Sequence, residues 1–369
     1  MIRILHLPGT VSLKNGRMHV IMNIYRKIDK SKFQFDFLVT DMEEESFIDE
    51  IHSLGGKVYT VRKNQRNNFF ILFRKLQNVL KQNDYKIIHY HATSQWGTVL
   101  FGLKKTNVEQ VIIHSHATVY SDSVIKSIRN FIMSLPIFFS GTKFIAVTYE
   151  AGKGIFLRKK FKVIPNSIDT EKFKYNEQNR QIVRQRINIK NNAIVLGNVG
   201  RYSKQKNQLR LIEIFFDILK MDTNNTWILL LIGQGKLKKQ LMDKTSQLGI
   251  EDKVILLHTQ SDIDQYYSAM DIFCFPSTYE GFGMAALEAQ SNGLPVALSD
   301  VIPDAVKFEN SFKMSLSDSN KDWARKIIEI SRYTVKRSDG KLLIEKAHMD
   351  SANVVRQWEE MYILSNYGK

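Results

Sequence analysis

The feature that most constrains this chain is a recurring order: a short apolar run, a turn, then a segment with apolar residues at helical spacing. Ile2 to Leu7 reads as a short buried strand, and residues 18–28 carry the helical spacing. Phe33 to Val39 reads as a strand, Ile51 to Leu54 as a helix end before Gly55-Gly56, and Phe69 to Leu80 as an amphipathic helix. Ile87 to His91, Val111 to His116 and Phe144 to Thr148 read as strands. The second half repeats the scheme, with strands at Ile194 to Val199, Trp227 to Ile232, Val254 to Leu257, Ile272 to Phe275 and Pro295 to Leu298. Helices are predicted at 208–219, 236–248, 262–269, 284–292 and about 351–364. Such alternation builds parallel sheets with helices on both faces. A chain of 369 residues exceeds what one hydrophobic core usually supports. The sequence therefore predicts an α/β protein of two doubly wound domains facing a central cleft, where ligands of such folds gather. Its boundary is placed in the polar stretch Thr170 to Asn192, giving residues 1–170, completed by a C-terminal helix within 351–369, and residues 171–350.

Composition excludes several classes. Hydrophobic residues make up 43% of the chain, too many for a disordered state. No run of about 18 uncharged apolar residues is present, so no membrane-spanning helix is expected. The opening MIRILHLPGT reads as strand and turn rather than as a signal peptide. A lone cysteine, Cys274, excludes an intramolecular disulfide and a cysteine-based zinc site, which suits a reducing cytoplasm. The net charge of +16 calls for an anionic partner: nucleic acid, a membrane surface or a phosphorylated small molecule. Basic clusters at Arg62, Lys63 and Arg66, at Arg74 and Lys75, at Lys104 and Lys105, and from Arg158 to Lys162 lack any nucleic-acid-binding signature, and each also reads as solvated surface.

The densest motif is Pro276-Ser277-Thr278-Tyr279-Glu280-Gly281-Phe282-Gly283-Met284, followed by Glu288. A buried strand ends, a turn with two glycines follows, and a new helix offers unpaired N–H groups to an anion. Glu280 and Glu288 lie about two turns, roughly 12 Å, apart. They suit an extended, hydroxyl-rich ligand; a surface glutamate and a helix-dipole glutamate are the other reading. Gly200-Arg201 through Lys206 forms a second signal, a loop after a strand, with a guanidinium fork and a point charge that fit a diphosphate or a plain basic turn. His89 and His91 close one strand, and His114 and His116 another. His-x-His alternation puts both rings on one face of a strand, as metal ligands require, but no carboxylate or thiolate set accompanies them, which favours single-ligand or hydrogen-bonding roles. Asp262-Ile263-Asp264 imitates an acidic metal motif yet opens a helix, and reads as its cap.

Taken together and in this order, these motifs resemble glycosyltransferase family 4, retaining enzymes of the GT-B fold. Glu280 to Glu288 looks like the family's E-x7-E element, IPNSID like its linker signature, and Gly200-Arg201 through Lys206 like its phosphate loop. Bacterial capsule and exopolysaccharide transferases are the nearest group. The resemblance implies that Glu280 contacts the donor hexose and Glu288 the ribose. Backbone N–H groups of Phe282, Gly283 and Met284 would meet the sugar and diphosphate, and Arg201 and Lys206 would neutralise the leaving group. His116 matches a histidine beside the reacting sugar, and Gly16 a loop glycine that touches the diphosphate. Neither a metal nor another cofactor is implied. Asn15-Gly16-Arg17-Met18 departs from the family's Gly-Gly-x-Glu loop, Ser167 replaces a glycine of the linker, and Ile302-Pro303-Asp304 replaces a glycine-bearing segment.

The expected activity is transfer of a hexose from a nucleotide diphosphate, UDP by preference, to a glycan acceptor carried on a polyprenyl diphosphate. A nucleotide-sugar epimerase, a non-catalytic sugar-nucleotide-binding subunit and a basic nucleic-acid binder are the competing readings. Residues 124–139 combine Lys126 and Arg129 with a broad apolar face. They read as a helix docking peripherally on the anionic inner face of the cell membrane, or as an ordinary buried helix cut by Pro136.

Overall fold

The computed structural model describes residues 1–13, 15–41, 45–61, 68–92, 97, 100, 103, 106–121, 124–333 and 336–363. The basic clusters at 62–66 and 104–105 lie outside them. The chain divides into two units, Met1–Ser167 with Ser351–Lys369, and Ile168–Asp350.

In the first unit, short runs of Ile, Val, Leu and Phe become strands β1 (Ile2–Thr10), β2 (Phe33–Asp41), β3 (Val58–Thr60), β4 (Ile87–His91), β5 (Gln110–Ser115), β6 (Lys143–Ala146) and β7 (Lys162–Val163). They form one parallel sheet in the order β3-β2-β1-β4-β5-β6-β7. The sequence pattern missed β3 and β7, edge strands of three and two residues too short for any periodicity. Helix Gly16–Lys27 starts at Asn15, whose side chain accepts from the backbone N–H groups of Arg17 and Met18. Helix Ser351–Tyr362 belongs to this unit: Val354, Trp358 and Tyr362 sit in one core with Ile4, Met22, Phe35 and Ile87. Helix Val124–Ser134 buries only Ser134. It leaves Val124 78%, Ile125 81%, Ile128 57% and Ile132 58% exposed. An ordinary buried helix is thereby excluded. Pro136 starts the next helix, Ile137–Ser140.

The second unit holds β8 (Ile194–Val199), β9 (Trp227–Ile232), β10 (Val254–Leu257), β11 (Ile272–Phe275), β12 (Val296–Ser299) and β13 (Ser311–Met314). Their order is β10-β9-β8-β11-β12-β13, parallel throughout. The units divide between Ser167 and Ile168, three residues before the predicted end of the first domain at 170, and the polar stretch 170–192 falls inside the second unit. It forms helices Thr170–Phe173 and Glu177–Arg186 and is drawn in by Asp271. Arg180 and Arg184 each donate to that carboxylate at 2.6 Å, and the Val195 N–H donates at 2.7 Å. Guanidinium forks bury here because nearly every N–H finds an oxygen: Arg184 also reaches the carbonyls of Ala269, Asn191 and Ala193. Among the described residues no helix is long and apolar enough to cross a membrane.

Candidate active site

In the second sheet, strand order reverses between β8 and β11, and ligands of doubly wound folds bind outside the C-terminal ends of strands at such a point. The two strongest sequence motifs leave from these strands: Gly200–Lys206 follows β8, and Pro276–Gly283 follows β11. Backbone and amide hydrogen bonds tie the loops together. The Thr278 N–H donates to the Gln205 carbonyl at 2.8 Å, Gln205 Nε2 donates to the Tyr279 carbonyl at 3.0 Å, and Asn207 Nδ2 donates to the Pro276 carbonyl at 3.2 Å. A third loop closes on them. A Cβ at Gly233 would lie 2.0 Å from the Gly200 carbonyl oxygen, and one at Gly235 2.3 Å from that of Tyr202, so only glycine permits this approach.

This lacing brings Lys206 and Glu280 together. Lys206 Nζ stands 2.6 Å from Glu280 Oε1 and 4.5 Å from the centroid of the Phe275 ring. The carboxylate is buried and the ammonium largely so. Arg201, in the same loop, is exposed and has no ion pair among the described residues. Gly283 adopts φ +100°, the left-handed region, and opens helix Met284–Ser291 with no side chain capping it. The backbone at Phe282, Gly283 and Met284 therefore ends in a helix N-terminus without a capping side chain. Glu288 lies one turn and a half into that helix, and the Tyr267 hydroxyl donates to its Oε2 at 2.7 Å. Burial pushes the Glu288 carboxyl up to about 7, against the Tyr267 hydrogen bond and the charges of Lys172 and Lys206. Neither glutamate is a surface residue.

Sequence reading did not single out Tyr267, and it gave no role to Lys172, beside the domain boundary, or to Gln205, within the loop motif. Tyr267 is buried on helix Ile263–Ala269, and only the fold reveals its reach to Glu288. Asp262 stands at the N-cap position of that helix, but its side chain makes no capping bond and instead accepts from Arg186 at 2.8 Å. Asp264 pairs with Lys172 at 3.7 Å.

His116 and Gly16 belong to the first unit. Gly16 opens helix Gly16–Lys27 after β1, and a Cβ there would meet nothing within 4 Å. His116 follows β5, with its Nε2 2.9 Å from His91 Nδ1. Arg17, beside Met18, which takes the place of the family's loop glutamate, donates from Nη1 to the Pro8 and His91 carbonyls, and burial lowers its guanidinium from the ordinary value.

A phosphate-ready loop, a glycine turn and a pair of sheltered carboxyls at the switch point of a doubly wound sheet define a sugar-nucleotide-handling enzyme. Residues 15–172 match the family described as Glycosyltransferase Family 4, and residues 179–339 that described as Glycosyl transferases group 1. Between them they cover most of the chain, which belongs to these glycosyltransferases. It is 28% identical over 335 residues to EpsF of Bacillus subtilis (strain 168), a protein named as a glycosyltransferase, across 88% of this chain and 86% of that one. It is also 27% identical over 253 residues to the UDP-Gal:alpha-D-GlcNAc-diphosphoundecaprenol alpha-1,3-galactosyltransferase of Escherichia coli, across 66% and 65% of the two chains. The solved structure of HepE from Anabaena with UDP and glucose matches with a TM-score of 0.80 at 19% identity, covering 98% of this chain and 99% of HepE. That of WaaG, a glycosyltransferase involved in lipopolysaccharide biosynthesis, matches with 0.73 at 16%, covering 97% and 99%. The fold is GT-B, built from two Rossmann-like units.

Proposed function

We propose that this enzyme moves a hexose from UDP to a glycan acceptor, with retention at the anomeric carbon, in the synthesis of a bacterial surface polysaccharide. The observation that carries this reading is the Lys206–Glu280 pair, held at 2.6 Å beside an uncapped helix start at the switch point. UDP in HepE, and UDP-Gal with a diphosphoundecaprenol acceptor in the name of the Escherichia coli relative, support the donor and a lipid-linked acceptor. A place at the inner face of the cell membrane follows from such an acceptor.

In this reading the diphosphate enters between Arg201, Lys206 and the N–H groups of Phe282, Gly283 and Met284. The bond from the sugar's anomeric carbon to the β-phosphate oxygen breaks, and the electron pair stays on the phosphate. Arg201 and Lys206 stabilise that charge without a divalent ion on the diphosphate, because donors fixed beforehand need no reorganisation as charge develops. Glu280 serves twice: it fixes Lys206 and offers its second oxygen to hexose hydroxyls. Glu288 accepts from the ribose hydroxyls. The acceptor hydroxyl attacks the oxocarbenium-like centre from the face the diphosphate leaves, and its proton passes to the departing phosphate oxygen. Proton NMR of the first product formed from an α-linked UDP-hexose tests the stereochemistry. An α-linked product is expected, and a β-linked one overturns retention. Glu280→Gln is expected to fold and to lose turnover; wild-type turnover would remove Glu280 from the mechanism.

We further propose that helix Val124–Ser134 docks on anionic lipid. Its apolar side chains face solvent together with Phe139, and Lys126 and Arg129 flank them. Each basic residue near such a surface contributes about 1 kcal/mol, and shallow burial of the apolar face adds to it.

A further inference from the structure

Five histidines are packed into the first unit, from three neighbouring strands and the turn after β5. His6 on β1, His89 and His91 on β4, and His114 on β5 are fully buried or nearly so, and His116 closes the row. Their nitrogens form one continuous chain. His116 Nε2 lies 2.9 Å from His91 Nδ1, His91 Nε2 lies 3.0 Å from His6 Nδ1, and His6 Nε2 lies 3.5 Å from the Tyr362 hydroxyl. From there the hydroxyl lies 2.7 Å from His89 Nδ1, and His89 Nε2 lies 3.1 Å from His114 Nδ1. The chain ends at His114 Nε2, which is buried and has no hydrogen-bond partner.

We propose that this cluster is a binding site for a divalent transition metal of the Zn²⁺ class, held by His91 Nδ1, His114 Nε2 and His116 Nε2. One nitrogen from each of these three residues lies within 4.8 Å of the others. A second triad, His6, His89 and His91, meets the same distance test. It fits less well, because both His89 nitrogens are engaged, one by Tyr362 and one by His114. The chosen triad uses the orphaned nitrogen of the row, and the ring protons can then be placed along it, at the cost of leaving the Tyr362 hydroxyl hydrogen without an acceptor among the described residues. With the metal on His91 Nδ1, its Nε2–H donates to His6 Nδ1, and His6 Nε2–H points to Tyr362. With the metal on His114 Nε2, its Nδ1–H donates to His89 Nε2, and His89 Nδ1–H donates to Tyr362. His6, His89 and Tyr362 thus become the outer shell that fixes ligand tautomers at metal sites. Zn–N bonds of about 2.0–2.1 Å in a tetrahedral site separate nitrogens by roughly 3.4 Å, so His91 and His116 need to part by only about half an ångström. A water molecule would fill the fourth position. The Arg17 charge, felt at His114 and His116, opposes a second cation and weakens the site without removing a ligand.

The ion would sit in the first unit on imidazole nitrogen, and the charge of the diphosphate remains the task of Arg201 and Lys206. The proposal departs from the sequence reading, which favoured single-ligand or hydrogen-bonding roles for these rings and set His116 beside the sugar, and its test does not rely on turnover. The test uses full-length protein without an affinity tag, stripped by chelator and titrated with Zn²⁺ and, as a spectroscopic probe, Co²⁺. About one equivalent is expected, with the visible absorption of four-coordinate Co²⁺. His116→Ala, at the accessible end of the row, is expected to weaken binding at least about tenfold and to abolish that spectrum. His89→Gln, which touches no metal, is expected to weaken it about 10–100-fold, as outer-shell substitutions do. Circular dichroism confirms folding of each. Less than about a tenth of an equivalent on folded wild-type protein, or binding unchanged in His116→Ala, overturns the site.

Discussion

Replacing Glu288 by glutamine separates the cost of a buried carboxyl from its use. Burial raises this group from 4.5 to about 7. The unfolded chain gives up the proton near the lower value, whereas the folded chain keeps it until the higher one. Stability is therefore lost as pH rises between the two, and the loss is complete above 7. At about 1.36 kcal/mol per unit, the carboxyl costs about 3 kcal/mol at pH 8 and about 0.8 kcal/mol at pH 5. Glutamine has no proton to lose, and its carbonyl still accepts the Tyr267 hydroxyl. Glu288→Gln should thus stabilise the second unit by about 3 kcal/mol at pH 8 and by under about 1 kcal/mol at pH 5. Urea unfolding of both proteins at both pH values measures this, with Trp227 and Trp323 as buried reporters in that unit. Turnover should move the other way at pH 8, where the ionised carboxylate accepts ribose hydroxyls better than an amide does, and should differ little at pH 5, where the wild-type carboxyl is itself protonated. A stability difference of the same size at pH 5 and pH 8 would refute the reasoning, since packing changes alone do not follow that titration.

Three further outcomes are expected. Lys206→Met should cost about 3–5 kcal/mol by leaving the buried Glu280 charge unpaired, and the double variant with Glu280→Gln should recover most of that stability but not activity; denaturant unfolding measures both, and equal loss in the double variant would mean the pair is not the cause. Arg201→Ala, at an exposed and unpaired site, should leave stability within about 0.5 kcal/mol of wild type. It should weaken UDP binding by about 1.5–3 kcal/mol by calorimetry, and unchanged affinity would remove Arg201 from the donor site. Ile125→Asp with Ile128→Asp should abolish co-sedimentation with phosphatidylglycerol vesicles at low salt while preserving the fold, and wild-type binding that ignores salt and both substitutions would exclude this helix as the contact.

Much of this molecule was legible because buried parallel strands write themselves as short continuous apolar runs. β4, β8, β9, β10 and β11 follow directly from such runs. Strands β3, β7 and β13 do not: β3 and β7 have only three and two residues, and in β13 Ser311 and Lys313 interrupt the apolar run. The 170–192 stretch gave a boundary within three residues of the observed one, but its polarity has another cause. Polarity there marks a burial site for arginines around Asp271, and that compensation is visible only in three dimensions. In the candidate site, Arg201, Lys206, Glu280, Gly283 and Glu288 stood in motifs of local spacing. Tyr267 and the five-histidine row depend on partners tens to hundreds of residues away, as with His89 and Tyr362. The paired His-x-His steps were readable, but the contribution of His6 was not.

Helix Ser351–Tyr362 has a consequence for how the protein is born. Trp358 and Tyr362 fill the core between β1, β2 and β4, yet they are translated after the entire second unit. On the ribosome, the first sheet must wait with an open face while Ile168–Asp350, a continuous segment, emerges and folds. The half that starts first finishes last. During that interval the apolar face of β1 and the histidine row lack their cover, so docking of residues 351–362 is the step that completes the first unit.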